Sequence, residues 1–355
     1  MNHAAILATR LTRQRLTQPS KLAPADVAAH LCAIQAQDFA GAKWSLGQRC
    51  YGLTDAGAEQ LLAEKKLIRI SSLRGTLHLM HPKDVRWITA LVTPRIKLQA
   101  ASLWKKLGVD DAILSKALHH IDDALKNNEA LTRAELKSIL DKRHIDTTDH
   151  RMNQFLTFAG LQQVVCCGPR RGKEFTYVLL RDWLPDDIAP MPKHPLTELA
   201  IRYLESHSPA TAEDFSWWSG FPVTACRRAF EDAGITERFV FGEKTYFLPN
   251  GETASKPDGK VRLLSGFDEY YISYADRSLV AENVPPGILS PPNGILPYLV
   301  VSKGKIVGTW RREIGKKSVE MVYIPFGKTA IGEERLSTAA KTYGKFMGLP
   351  AQWAL

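Results

Sequence analysis

The chain of 355 residues is defined first by what it has little of. It contains no run of about 18 apolar residues, so no helix is expected to span a membrane. Residues 1–18 carry Arg10, Arg13 and Arg15 but lack the apolar stretch of a secretory leader. There are five cysteines, Cys32, Cys50, Cys166, Cys167 and Cys226, an odd and scattered set without a CxxC pair. Neither a zinc knuckle nor a disulfide framework is expected from it. His119-His120 lacks the i, i+4 spacing of a helical metal site, so no metal is expected. The reading is a reduced, cytosolic protein that needs no metal or other cofactor.

Acidic residues are also in deficit. Lys+Arg number 47 against 37 Asp+Glu, a formal net charge of +10. That excess favours a polyanionic partner and leaves the fold open. The hydrophobic content of 45% is ordinary for a globular protein, and the length suits several domains.

One pattern occurs three times: a short amphipathic helix, two further helices, then a basic two-stranded hairpin. In the first, Pro24 opens a helix over about 24–35, with Val27, Leu31 and Ile34 on one side. A second helix is expected from Gly41 to Gln48, and Thr54 caps a third. Residues 69–74 and 76–80 then alternate as strands around Gly75. In the second, helices are expected over 112–125, from a Thr132 cap, and over 150–163. Strands 164–167 and 174–180 then flank the basic turn Gly168-Pro169-Arg170-Arg171-Gly172-Lys173. In the third, Leu196, Leu199, Ala200, Tyr203 and Leu204 mark a helix, Thr211 caps another, and Gly220 breaks the chain. Residues 223–233 present Arg227 and Arg228 on a recognition-type helix, and 239–248 form a hairpin turning at Gly242.

Residues 250–260 read as a linker, rich in Gly, Pro, Ser and charge. Beyond it, strands are expected over 261–274, 298–301, 305–310 and 319–325, with a closing helix over 333–346, in a small β-rich, barrel-like domain. The fold class is therefore α+β: tandem winged-helix units at 1–100, 101–190 and 191–255, followed by a β-rich domain at 256–355. Such a basic array suits double-stranded DNA, bound by a monomer associated with the nucleoid. Arg74, Arg170, Arg171, Lys173, Arg227, Arg228, Arg311 and Arg312 are its candidate phosphate contacts.

The candidate chemistry sits in Ile34-Gln35-Ala36-Gln37-Asp38. Residues two apart on a helix diverge by about 200°, so Gln35 and Gln37 share a side only if the helix ends there. Amides do not titrate, so the pair is no strong base. It can hold a water and aim carbonyl dipoles at developing positive charge. The alternative is that both merely bind backbone at a helix end. Asp38 could position or deprotonate the water, or serve only as a helix-end carboxylate. Thr76 and His78 lie one residue apart on one face of a strand, and His78 could contact a phosphate or the lesion, or be structural. Asp268 and Glu269, adjacent on an expected strand, face opposite ways and read as structural anchors.

Gln35-Ala36-Gln37 together with Arg74-Gly75-Thr76-Leu77-His78 resembles the AlkZ-like DNA glycosylases, whose relatives include the YcaQ branch. So do Phe267-Asp268-Glu269-Tyr270, Asp276-Arg277-Ser278 and Gly308-Thr309-Trp310-Arg311-Arg312. The resemblance implies tandem winged helices forming a concave basic surface. It also implies excision of N7-alkylated purines and unhooking of interstrand crosslinks. It carries the catalytic glutamines onto Gln35 and Gln37. The YcaQ-like branch has an acid at the second place, so Gln37 sets this chain nearer the first branch. No lysine is marked as a Schiff-base nucleophile, which implies a monofunctional enzyme. The rival expectation is a non-enzymatic winged-helix regulator.

Overall fold

The computed structural model describes residues 1–251, 253–327 and 331–354. Residue 252 of the expected linker, and residues 328–330 and 355 of the expected C-terminal domain, lie outside the described residues. The architecture is mixed α+β, as expected, and the chain divides into two compact units: Met1–Glu59 with Thr197–Leu355, and Gln60–Leu196. No described helix is long and apolar enough to cross a membrane.

In the unit of residues 60–196, five antiparallel strands run in the order Leu77–Met80, Ile68–Ser71, Val165–Cys167, Thr176–Leu179, Leu131–Thr132. The helices Pro82–Lys106, Asp111–Lys126, Arg133–Lys142 and Arg151–Leu161 accompany them. Asp110 caps the second of these helices, and Thr132 and Glu135 form the reciprocal capping box of the third. Leu114, Ile121, Leu136, Leu140 and Phe155 meet in one core. Helix Arg151–Leu161 lies close on strand Ile68–Ser71 because Gly160 has no Cβ, which would stand 3.0 Å from that of Ser71.

The hairpin around Gly75 forms as expected, with Arg74 and Gly75 at φ 56° and 72°. Its strands do not alternate between core and solvent, however. Ile68–Ser71 is an interior strand of the sheet buried on both faces, with helix Arg151–Leu161 packed against it. Arg69 is buried with its guanidinium 4.2 Å from the Phe175 ring. This hairpin is therefore not an exposed wing.

In the other unit, helices Pro195–His207, Ala212–Ser219 and Val223–Asp232 precede a hairpin, Arg238–Phe241 with Lys244–Phe247. Thr211 and Asp214 form a capping box, and Gly220 ends the second helix at φ 81°. The five-stranded sheet runs in the order Ala351–Trp353, Val319–Pro325, Lys305–Ile314, Tyr298–Ser302, Val261–Leu264. It is antiparallel except for its first pair, which is parallel. The sheet is open, not barrel-like, because its two outer strands do not pair with each other.

Strand alternation decides what covers each face of this sheet. Leu299 and Val301 join Leu7 and Leu11 of helix His3–Arg13 in one core. Val300 joins Trp44, Tyr343 and Phe346 in the other, which helix Glu333–Met347 covers. The strand expected over 261–274 stops at Leu264. Asp268 then caps the single helical turn Glu269–Ile272, because its carboxylate accepts the backbone N–H of Tyr270 at 3.0 Å. The edge strand Ala351–Trp353 has no counterpart in the sequence reading.

Candidate active site

The glutamine segment follows a helix that ends early. Pro24–His30 is helical, not 24–35 as expected, and Cys32 adopts φ 65°, a left-handed conformation that stops the helix. The backbone then extends through Ile34–Gln35. In an extended chain residues two apart share a side, which is the condition the glutamine pair requires. Gln35 Nε2 donates to Gln37 Oε1 at 3.1 Å. Gln35 is 8% exposed, Gln37 is exposed, and the intervening Ala36 is fully buried.

Two carboxylates bracket this segment. Glu269, fully buried, accepts the backbone N–H of Gln35 on Oε1 at 2.9 Å. Its Oε2 accepts from Trp218 Nε1 at 3.3 Å and from the Ser273 hydroxyl, with His207 Nε2 at 3.9 Å. Burial drives the His207 imidazole well below its ordinary pKa, reinforced by the nearby His30 ring and the Arg49 charge, so the ring is neutral. The neighbouring Asp268 binds Arg49 through two oxygens at 2.7 and 2.8 Å, both side chains fully buried. Both acids are thus anchors, as expected, but on a helical turn, and Glu269 anchors the glutamine segment itself.

At the other end, Asp38 caps helix Phe39–Gly47, which begins two residues earlier than expected. Its Oδ1 accepts the Gly41 N–H at 3.0 Å. Its Oδ2 accepts from the Tyr298 hydroxyl at 2.5 Å, and the Tyr298 oxygen in turn accepts from Arg312 Nη2 at 2.9 Å. Burial first, then the charge of Asp38, raises the Tyr298 pKa, so the phenol stays protonated and donates.

Arg312 is half-buried, stacked 4.2 Å from the Tyr298 ring centroid and hydrogen-bonded to that residue, so it is not the surface cation expected. His78 is 1% exposed, and burial first, then Arg74, lowers its pKa to about 3. A neutral interior ring cannot make the phosphate contact considered for it. Thr76 is half-buried and its hydroxyl donates to the Leu73 carbonyl at 3.2 Å. Arg74 is half-buried in the hairpin turn. Arg170, Arg171, Lys173, Arg227, Arg228 and Arg311 are exposed. Among these, Arg171 pairs with Glu135 at 2.8 Å, Arg227 with Glu213 at 2.6 Å and Arg228 with Asp232 at 3.8 Å. No group of three or more His, Cys, Asp or Glu among the described residues is arranged to hold a metal.

The family model described as DNA glycosylase AlkZ-like matches residues 28–346. The chain belongs to that family of DNA glycosylases. It is similar to the interstrand DNA cross-link repair glycosylase of Streptomyces sahachiroi, 27% identical over 351 residues, covering 94% of this chain and 92% of that protein. Its fold is similar to the solved structure of the Streptomyces sahachiroi DNA glycosylase AlkZ, with a TM-score of 0.81 at 23% identity and full coverage of both chains.

Proposed function

We propose that this protein is a monofunctional DNA glycosylase that excises N7-alkylated purines from double-stranded DNA and unhooks interstrand crosslinks made through them. The observation that carries the reading is the 3.1 Å hydrogen bond joining Gln35 to Gln37 where the helix ends. The name of the Streptomyces sahachiroi relative supports the crosslink substrate.

Alkylation at N7 makes the purine cationic, so it departs with the electrons of the N9–C1′ bond and needs little acid catalysis. Positive charge then develops on the sugar. Amide oxygens of Gln35 and Gln37 stabilise it and orient the water that adds to C1′, whose proton passes to solvent. No cofactor is required. DNA contacts helix-and-hairpin units at 1–100, 101–190 and 191–255, which the β-rich segment 256–355 follows in the chain. That is a division by repeated element order, whereas compactness divides the chain differently. Arg74, Arg170, Arg171, Lys173, Arg227, Arg228 and Arg311 meet phosphates, and the protein acts as a monomer.

The test is incubation of the purified chain with duplexes bearing N7-methylguanine or an N7-linked crosslink, followed by heat or alkali. Release of free base, leaving strands that break only after that treatment, is the expected result. Tight binding without release would make the chain a DNA-binding protein, and cleavage without heat or alkali would mean a lyase.

A further inference from the structure

Gln35 is already fixed at its backbone by Glu269, whereas Gln37 is exposed and accepts at its side chain from Gln35. What limits its freedom is the next residue. Asp38 is tied on both carboxylate oxygens, to Gly41 at 3.0 Å and to Tyr298 at 2.5 Å. Arg312 lies behind Tyr298, donating to its oxygen and stacked on its ring. The fit is close enough to exclude a side chain: a Cβ at Gly41 would stand 2.4 Å from Asp38 Oδ2 and 2.9 Å from the Tyr298 hydroxyl. Tyr298 is itself held by strand pairing opposite Trp310, with the two ring centroids 5.1 Å apart.

We infer that Tyr298 and Arg312 are positioning residues for excision, acting through Asp38 to hold Gln37 in place, and that Asp38 is a strut and not the base that deprotonates the water. The inference rests on the glutamine reading of the site. A carboxylate with both oxygens occupied by donors is poorly disposed to take a proton from water. It is well disposed to fix a chain end, because a hydrogen bond to a charged group is stronger than a neutral one.

Tyr298→Phe keeps the ring and its packing while removing one hydroxyl. Together with Asp38→Ala, it should slow single-turnover release of N7-methylguanine about tenfold, with duplex affinity within about twofold. Asp38→Asn should restore near-normal release, since its amide oxygen still accepts from Tyr298 or Gly41. Were Asp38 the base, Asn would be as inactive as Ala, which would overturn the inference. Arg312→Gln should lower the rate without changing the salt dependence of binding; a shallower salt slope would make Arg312 a phosphate contact instead.

Amide hydrogen exchange reads the same clamp without any substrate. In Tyr298→Phe, exchange over residues 34–42 should accelerate at least severalfold while residues 60–196 exchange as in the wild type. Unchanged exchange over 34–42 refutes the clamp whatever the lesion. If the wild type releases no N7-methylguanine, the substrate reading fails, and the exchange result alone decides this inference.

Discussion

Residues 34–38 and the turn at 168–173 are both polar, and the structure treats them in opposite ways. The first is tied down from distant parts of the chain: Gln35 to Glu269, 234 positions away, and Asp38 to Tyr298, 260 away. The second is a set of exposed cations, Arg170, Arg171 and Lys173, and the Arg171–Glu135 pair is exposed on both sides. A surface pair of that kind is screened by solvent and salt and contributes too little to hold a geometry. On the proposed function the difference separates two tasks. Orienting a water and a dipole against a developing charge requires placement to a fraction of an ångström. Attracting a phosphate backbone requires charge, and tolerates looseness.

The contrast is broken most directly at the glutamines. Gln35→Ala and Gln37→Ala should each slow base release by ~10²-fold, the scale of one lost preorganised dipole contact. Duplex affinity should stay nearly constant, and the double variant should be less than additive if the two share one water. Rates and affinities falling together would erase the division of tasks.

Next in size is the basic turn. Replacing Arg170 and Arg171 together by Ala should weaken binding to every duplex alike and reduce the salt slope by about 2. The single-turnover rate at saturating protein should not change. Titrations at several salt concentrations check both parts.

Gly41→Ala sharpens the comparison because two effects on stability oppose each other. Alanine gains about 1 kcal/mol of helix propensity, and disturbing the Asp38 cap loses about as much. Thermal denaturation should therefore shift little, while base release should fall, since the new Cβ meets Asp38 and Tyr298.

A separate effect, on stability and not on base release, is expected from pH. The His78 ring stays unprotonated in the folded protein down to about pH 3, whereas in the unfolded chain it takes a proton near 6.5. Folding stability from this group is complete above 6.5. It is lost at ~1.4 kcal/mol per pH unit as pH falls from there towards 3. Denaturation midpoints measured from neutral to acid pH should show the decline, and His78→Gln should make it shallower.

Much of the local structure was legible in the sequence because it is written locally. Caps at Thr132 and Thr211, the break at Gly220 and the hairpin turn at Gly242 depend on neighbours within a few residues, and all stand where they were read. What was misread depends on distant chain. The hairpins at 68–80 and 238–247 carry similar signals, yet the first is buried on both faces and the second is largely exposed. The pairing of Arg69 with Cys167, its stacking on Phe175 and the helix packed against Ser71 all bury the first. The glutamine pair was legible as a motif, but its anchors were not. Nothing near Glu269 or Tyr298 in sequence points to residues 35 and 38.

The central claim is that neutral amides, and not a titrating base, carry out the excision. A single-turnover pH–rate profile on an N7-methylguanine duplex tests it most directly, because an amide has no protonation state to lose. The account predicts a rate that is flat from about pH 5.5 to 8. A rate falling about tenfold per unit as pH is lowered would reveal an essential base and contradict it.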